Sequence, residues 1–211
     1  MIRDSGNSRI QPGQPGYLEA ASVVQRLEIP ATLDRAHGDV HPAGNPHIQM
    51  DPRNLLKVAE ALTQRLAQLD PANAASYQDN FRRFAGKWQT ALARWEQQAA
   101  PLKGVSVWVQ HKSFSYLFNW LGMKEAGTLE PKPGVEPTAS HLATILARQQ
   151  AQPARMVIRA TYQGDHATQW LASRSKIRVV VLPFTVGGSA EAKDLTSLFD
   201  DTLNRLLQGL Q

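Results

Sequence analysis

Two histidines stand in a short loop that is rich in proline and glycine. The segment from His41 to His47, HPAGNPH, has φ fixed at both prolines, while Gly44 permits unusual dihedrals and Asn45 favours a turn. Such a loop holds side chains in place without a regular element. Neutral imidazoles are common ligands of divalent transition metals. The segment therefore predicts a metal-binding loop, and the alternative is a surface turn whose histidines share no role.

A further histidine follows a predicted strand. Residues 105–110, VSVWVQ, form an apolar run rich in β-branched side chains, which is typical of a buried strand, and His111 comes directly after it. A helical pattern opens at Lys112. Open α/β sheets usually bind their ligands at the carboxyl ends of their strands. His111 is therefore a second candidate ligand, and the alternative is a purely structural histidine.

Several segments together resemble a known family. They are GNPH at 44–47 with Asp51-Pro52, His111 followed by Ser113-Phe114 and Tyr116, GTLEP at 127–131, and LPFTVGG at 182–188. In order and spacing, from about residue 37 to the C-terminus, they resemble the substrate-binding proteins of zinc and manganese ABC importers. The resemblance implies an α/β fold of two lobes joined by one long helix. It also implies a metal held in the cleft between the lobes, usually by three histidines and a carboxylate.

Two of the family's ligands carry over onto this sequence. His47 corresponds to the histidine of the Asn-Pro-His loop, and His111 to the histidine after the first strand of the second lobe. The family's first histidine belongs to an early loop of the first lobe, so we expect that this lobe is incomplete and that the chain is part of a longer protein. The family's carboxylate position falls on residues 184–186, Phe-Thr-Val, which offer no anionic ligand.

Three side chains are candidates for the remaining ligand positions. His41 lies in the same loop as His47, and Glu130 and Glu136 flank the stiff segment PKPGV. Exposed or supporting roles are the alternatives for all three. A site with only two histidines leaves positions open to water, which favours weak binding or catalysis over tight structural binding.

The resemblance implies capture of a divalent metal and its delivery to an ABC-type permease in the membrane, without catalysis. Imidazole-rich ligation favours Zn²⁺, whereas an added carboxylate would favour Mn²⁺. One alternative is a metal-free interaction module. Another is a metal-dependent hydrolase in which Glu130 or Glu136 acts as general base. The sequence contains no zinc-protease, P-loop, nucleophile-elbow or dinucleotide-binding motif, so we predict a protein that is not an enzyme.

Composition narrows the function classes further. The 211 residues include no cysteine, which removes thiolate metal sites and disulfides. The net charge is +5, but no run of basic residues exceeds two, so we predict no nucleic-acid partner. The N-terminus has no signal-peptide pattern, although the family resemblance implies a periplasmic or extracytoplasmic location. A partial first lobe would expose apolar surface, so we expect the isolated chain to self-associate.

The helices and strands that would position these residues follow from local signals. Asp51 and Asp70, each followed by proline, predict two helix starts, and the second helix would run to residue 100 over about 45 Å. A short helix is predicted over 17–27. From Val105 onward, four strands alternate with helices, which predicts a four-stranded parallel sheet flanked by helices.

The expected organisation is a partial N-terminal lobe over 1–69, a connecting helix over 70–101 and a C-terminal α/β lobe over 102–211. Trp88 and Trp95 are seven residues apart on one helical face, while Trp108 and Trp120 lie in apolar runs. We predict that these four side chains belong to the core rather than to a binding surface.

Overall fold

Two long helices open the regular part of the chain. The computed structural model describes residues 2–31 and 41–211. Helix α1 spans Pro52–Leu69, and the Asp51 side chain caps it by accepting a hydrogen bond from the Arg53 amide at 2.9 Å. After a 3₁₀ turn, helix α2 spans Ala74–Gln98. Its 25 residues give about 37 Å, shorter than expected, because the turn takes up the first residues after Asp70. No helix in the described ranges is long and apolar enough to cross a membrane.

A four-stranded sheet forms the second half. The strands are β1 (Ser106–Val109), β2 (Lys124–Thr128), β3 (Met156–Ala160) and β4 (Arg178–Leu182). They lie in the order β2-β1-β3-β4, and every neighbouring pair is parallel. The helices that alternate with them or follow them are α3 (Ser115–Leu121), α4 (Ala139–Ala151), α5 (His166–Ser175) and α6 (Leu195–Gln208). The predicted α/β fold with a parallel sheet flanked by helices is confirmed.

The segment before the histidine loop differs from the prediction. Of the short helix expected over 17–27, only Ala20–Val23 is helical, as a 3₁₀ turn. The backbone of Leu27 makes long-range hydrogen bonds instead of helical ones. Its amide donates to the Tyr116 hydroxyl, and its carbonyl accepts from the Asn45 amide. Glu28 then takes a left-handed φ of 54°, which ends any helical path. Among the described residues before Ser106 there is no strand. The start of the family resemblance, at residues 37–40, lies outside the described ranges.

The tryptophans occupy two cores on opposite faces of the sheet. Trp88 and Trp95 of α2 lie edge to face with ring centroids 5.2 Å apart, and both rings contact Phe199 of α6. Trp120 joins this aromatic group. Trp108 is buried in the other core, on the side of α4 and α5. The prediction that these four side chains are core residues is confirmed, and the group on α2 joins that helix firmly to the sheet half.

We expect the Trp95→Ala variant to be strongly destabilised. The Trp95 ring is fully buried and contacts three aromatic rings, so its removal leaves a large cavity and should lower the free energy of unfolding by about 3–5 kcal/mol. Trp170→Ala is the control, because Trp170 is only partly buried and stacks on Arg174. Urea unfolding followed by circular dichroism measures both variants. Equal losses would contradict the assignment of Trp95 to the supporting core.

Candidate metal-binding site

A cavity of about 320 Å³ opens where the histidine loop meets the carboxyl end of the sheet. Residues that follow β1 and β2 form one wall, and the loop before α1 forms the other. The polar and titratable side chains in its walls are those of Glu28, His41, Asn45, His47, His111, Lys112, Thr128, Glu130 and Lys132. Because parallel strands end at the same edge, His111 and Glu130 reach the cavity from neighbouring strands. The tertiary structure thus brings together four of the five predicted site residues.

The two family-matched histidines face each other across this cavity. The ring centroids of His47 and His111 are 6.3 Å apart, with the rings inclined at 74°. Two imidazoles that bind one tetrahedral zinc ion at about 2.0–2.1 Å would have centroids about 5 Å apart. The observed separation of the centroids exceeds this value by about 1 Å.

The environment of His47 keeps its imidazole neutral. Partial burial lowers its pKa to about 4, with further lowering by the charges of His111 and His41 and a smaller opposing effect of Glu28. The ring also packs edge to face on Phe184, with centroids 5.1 Å apart. A neutral imidazole has a free nitrogen lone pair, which is the form that binds metals. His47 can therefore act as a ligand at neutral pH without first losing a proton.

His111 is oriented by a carboxylate. Its Nδ1 lies 2.7 Å from Oε2 of Glu130, and the same oxygen accepts a hydrogen bond from the Gly134 amide at 2.9 Å. A neutral His111 that donates from Nδ1 carries its lone pair on Nε2. This carboxylate–histidine arrangement is the one that commonly supports metal-ligating histidines in proteins. Glu130 is therefore already engaged as a hydrogen-bond acceptor.

The other predicted candidates have different positions. His41 is exposed and lies in the cavity wall. Glu136 is exposed and is not part of that wall. Phe184, one of residues 184–186 where the family resemblance implies a carboxylate, contacts His47 with its ring. Within residues 2–31 and 41–211, no group of three or more histidine, cysteine, aspartate or glutamate side chains is arranged to hold a metal ion.

Glu28 and Asn45 are two of the polar residues of the site that sequence reasoning missed or gave a lesser role. The Glu28 carboxylate accepts hydrogen bonds from Asn45 Nδ2, Lys112 Nζ and Ser115 Oγ at 2.8–3.1 Å. Asn45, predicted only as a turn former, is buried. No local pattern singles out Glu28, because the residues that surround it are distant in the sequence. For Asn45 the one usable signal was its place directly before Pro46-His47.

The family model described as zinc-uptake complex component A, periplasmic, matches residues 8–209. The high-affinity zinc uptake system protein ZnuA of Brucella abortus (strain 2308) is 26% identical over 165 residues, which cover 78% of this chain and 48% of that protein. The chain thus spans about half the length of this curated relative.

Solved structures share the fold. A crystal structure of ZnuA superposes with a TM-score of 0.74 at 20% identity, covering 92% of this chain and 70% of that one. The substrate-binding protein FpvC from Pseudomonas aeruginosa in complex with Mn²⁺ gives a TM-score of 0.66 at 19% identity, over 83% and 68% of the two chains. The family match extends over nearly the whole sequence. The chain therefore belongs to the ZnuA family of periplasmic zinc-uptake components.

Proposed function

We propose that this chain binds a divalent transition metal between His47 and His111 and presents it to an ABC-type importer. The observation that carries the proposal is the approach of two imidazoles from distant segments, 6.3 Å apart in one cavity. Zinc is the first candidate, because three imidazoles line the cavity and the relatives are named for zinc uptake. Manganese is the second, and the Mn²⁺ complex of FpvC supports its inclusion.

The proposal assigns the three parts of the chain different tasks. Residues 1–69, the partial N-terminal lobe, supply His47 from the loop before α1. Residues 70–101 contain α2, which acts as the connecting helix. Residues 102–211, the C-terminal lobe, supply His111 and Glu130 at the end of the sheet. The metal would thus lie between two lobes, in the periplasm, where a membrane permease can receive it.

Supporting roles follow from the contacts. In this proposal Glu130 orients His111, and His41, which lines the same cavity, moves in to contribute a third imidazole. We propose a binding protein rather than a hydrolase, because the family model that matches the chain describes a zinc-uptake component, and Glu130 is the hydrogen-bond partner of His111.

Replacing either histidine should abolish tight metal binding. We expect chelator-stripped wild-type protein to bind one zinc ion in a calorimetric titration, and His47→Ala or His111→Ala to weaken binding by more than about 100-fold, beyond the loss usual for an outer-shell partner. His166→Ala is the matched control, since this histidine is exposed at the start of α5 and outside the cavity wall. Wild-type binding no tighter than about millimolar would contradict the proposed function.

The stability of the metal-free protein should fall as the pH is lowered from 6.5 towards 4. In this range the unfolded chain protonates His47 near its ordinary pKa of 6.5, whereas the folded protein excludes that proton until the pH approaches 4. Stability that is present above pH 6.5 is therefore lost on acidification. Urea unfolding at about pH 7 and about pH 4.5 should show a larger loss for wild type than for His47→Gln. Identical losses would mean that His47 titrates normally in the fold.

Glu130→Gln should weaken zinc binding while His111 remains present. The substitution removes the charged acceptor that orients His111, and we expect about a 10-fold lower affinity in the same titration. Glu136→Gln is the control, because it makes the same change in charge on an exposed side chain of the same loop. An equal effect of both substitutions would indicate a general electrostatic contribution rather than orientation of His111.

A further inference from the structure

The carboxamide of Asn45 connects the backbone of His47 to the backbone of Lys112, the residue after His111. Its Oδ1 accepts a hydrogen bond from the His47 amide at 3.0 Å. Its Nδ2 donates to the carbonyl of Lys112, the residue after His111, at 2.8 Å. One planar group of the histidine loop therefore connects the backbone beside one imidazole to the backbone beside the other. The two residues it connects are widely separated in the sequence.

The environment of this side chain holds it in one orientation. Asn45 is only 8% exposed, and Nδ2 also donates to Glu28 Oε2 at 2.8 Å and lies 3.4 Å from Ser115 Oγ. The donor side thus faces a carboxylate and a carbonyl, and the acceptor side faces an amide N–H. A flipped carboxamide would place oxygen against the Glu28 and Lys112 oxygens, which is unfavourable in a buried setting.

The backbone of Asn45 is held as well. Its amide donates to the Leu27 carbonyl at 2.8 Å, and its carbonyl accepts from the buried Tyr116 hydroxyl at 3.0 Å. The same hydroxyl accepts from the Leu27 amide. Three segments therefore meet at this residue: the chain near Leu27, the histidine loop and the start of α3. The loop cannot slide along the sheet edge without breaking several of these bonds together.

We infer that Asn45 is a positioning residue that sets the separation between His47 and His111 before a metal arrives. This inference rests on the proposed function. A site whose ligands are already near their bound geometry needs little reorganisation on binding, whereas a loosely held loop must be ordered by the metal itself. Loss of the Asn45 carboxamide should therefore reduce affinity although both imidazoles remain.

The test compares Asn45→Ala with Gln149→Ala. Gln149 is a similarly buried carboxamide, 6% exposed, that makes three hydrogen bonds to Trp108 and Ala154 on the far face of the sheet. We expect Asn45→Ala to bind zinc about 10- to 100-fold more weakly than wild type, and Gln149→Ala to stay close to the wild-type affinity. In metal-free protein, the nuclear Overhauser contact between the His47 and Phe184 rings should disappear only in Asn45→Ala.

Three results would show that Asn45 does not position the histidine loop. Wild-type affinity in Asn45→Ala, equal weakening in Gln149→Ala, or a retained His47–Phe184 contact would overturn the inference. If wild type itself binds no zinc, the proposed function fails, and the ring contact in metal-free protein alone decides whether Asn45 positions the loop. If Asn45→Ala does not fold, Asn45→Asp replaces it, because Asp keeps the acceptor for the His47 amide and loses the donor to Lys112.

Discussion

The attachment of the histidine loop to the carboxyl end of the parallel sheet is the constraint on which the candidate site depends. The buried Tyr116 hydroxyl donates to the carbonyl of the buried Asn45 and accepts from the Leu27 amide, and the Asn45 amide donates to the Leu27 carbonyl. The cavity exists because this junction holds the loop opposite the ends of β1 and β2. Buried polar groups that are fully paired specify one arrangement, since any other leaves some of them without partners.

The second anchor of the loop comes from the aromatic core. Trp88 donates its indole N–H to the carbonyl of Pro52 at 2.8 Å, which ties the start of α1 to α2. The aromatic group around Trp95 and Phe199 in turn joins α2 to the sheet half. The loop is thus fixed at Asn45 on one side and at Pro52 on the other. His47 lies between these anchors, so its position depends both on Asn45 in the cavity wall and on the aromatic core that holds Pro52.

The chemistry of the cavity differs on its two sides. Phe184 packs on His47 where the family resemblance implies a carboxylate, and burial there favours a neutral imidazole. Glu130 supports His111 on the other side by accepting from its ring. An aromatic neighbour excludes water without offering a ligand, whereas a carboxylate neighbour fixes the tautomer. These two environments prepare both rings for a soft or borderline cation such as Zn²⁺ under the proposed function.

Local signals predicted most of the fold and the two central histidines. These features depend on residues that are neighbours in the chain, so a single sequence is enough to predict them. They are the Asp-Pro starts of α1 and of the turn before α2, the alternation of strands and helices, and the apolar positions of the tryptophans. The prediction of a helix over 17–27 was wrong, because residues distant in the sequence decide the structure there. The backbone of Leu27 pairs with Tyr116 and Asn45, so long-range hydrogen bonds take the place of helical ones.

The sequence by itself thus determined the α/β class, the parallel sheet and the candidate histidines, because turn residues, hydrophobic periodicity and motif order are local properties. Only the tertiary structure decided that Glu130 rather than Glu136 lies against His111, and that Glu28 and Asn45 line the cavity. Those outcomes depend on distances between residues that are far apart in the chain, such as Asn45 and Lys112, 67 positions apart. Spacing in the sequence does not encode such distances until the loop and the sheet have packed together.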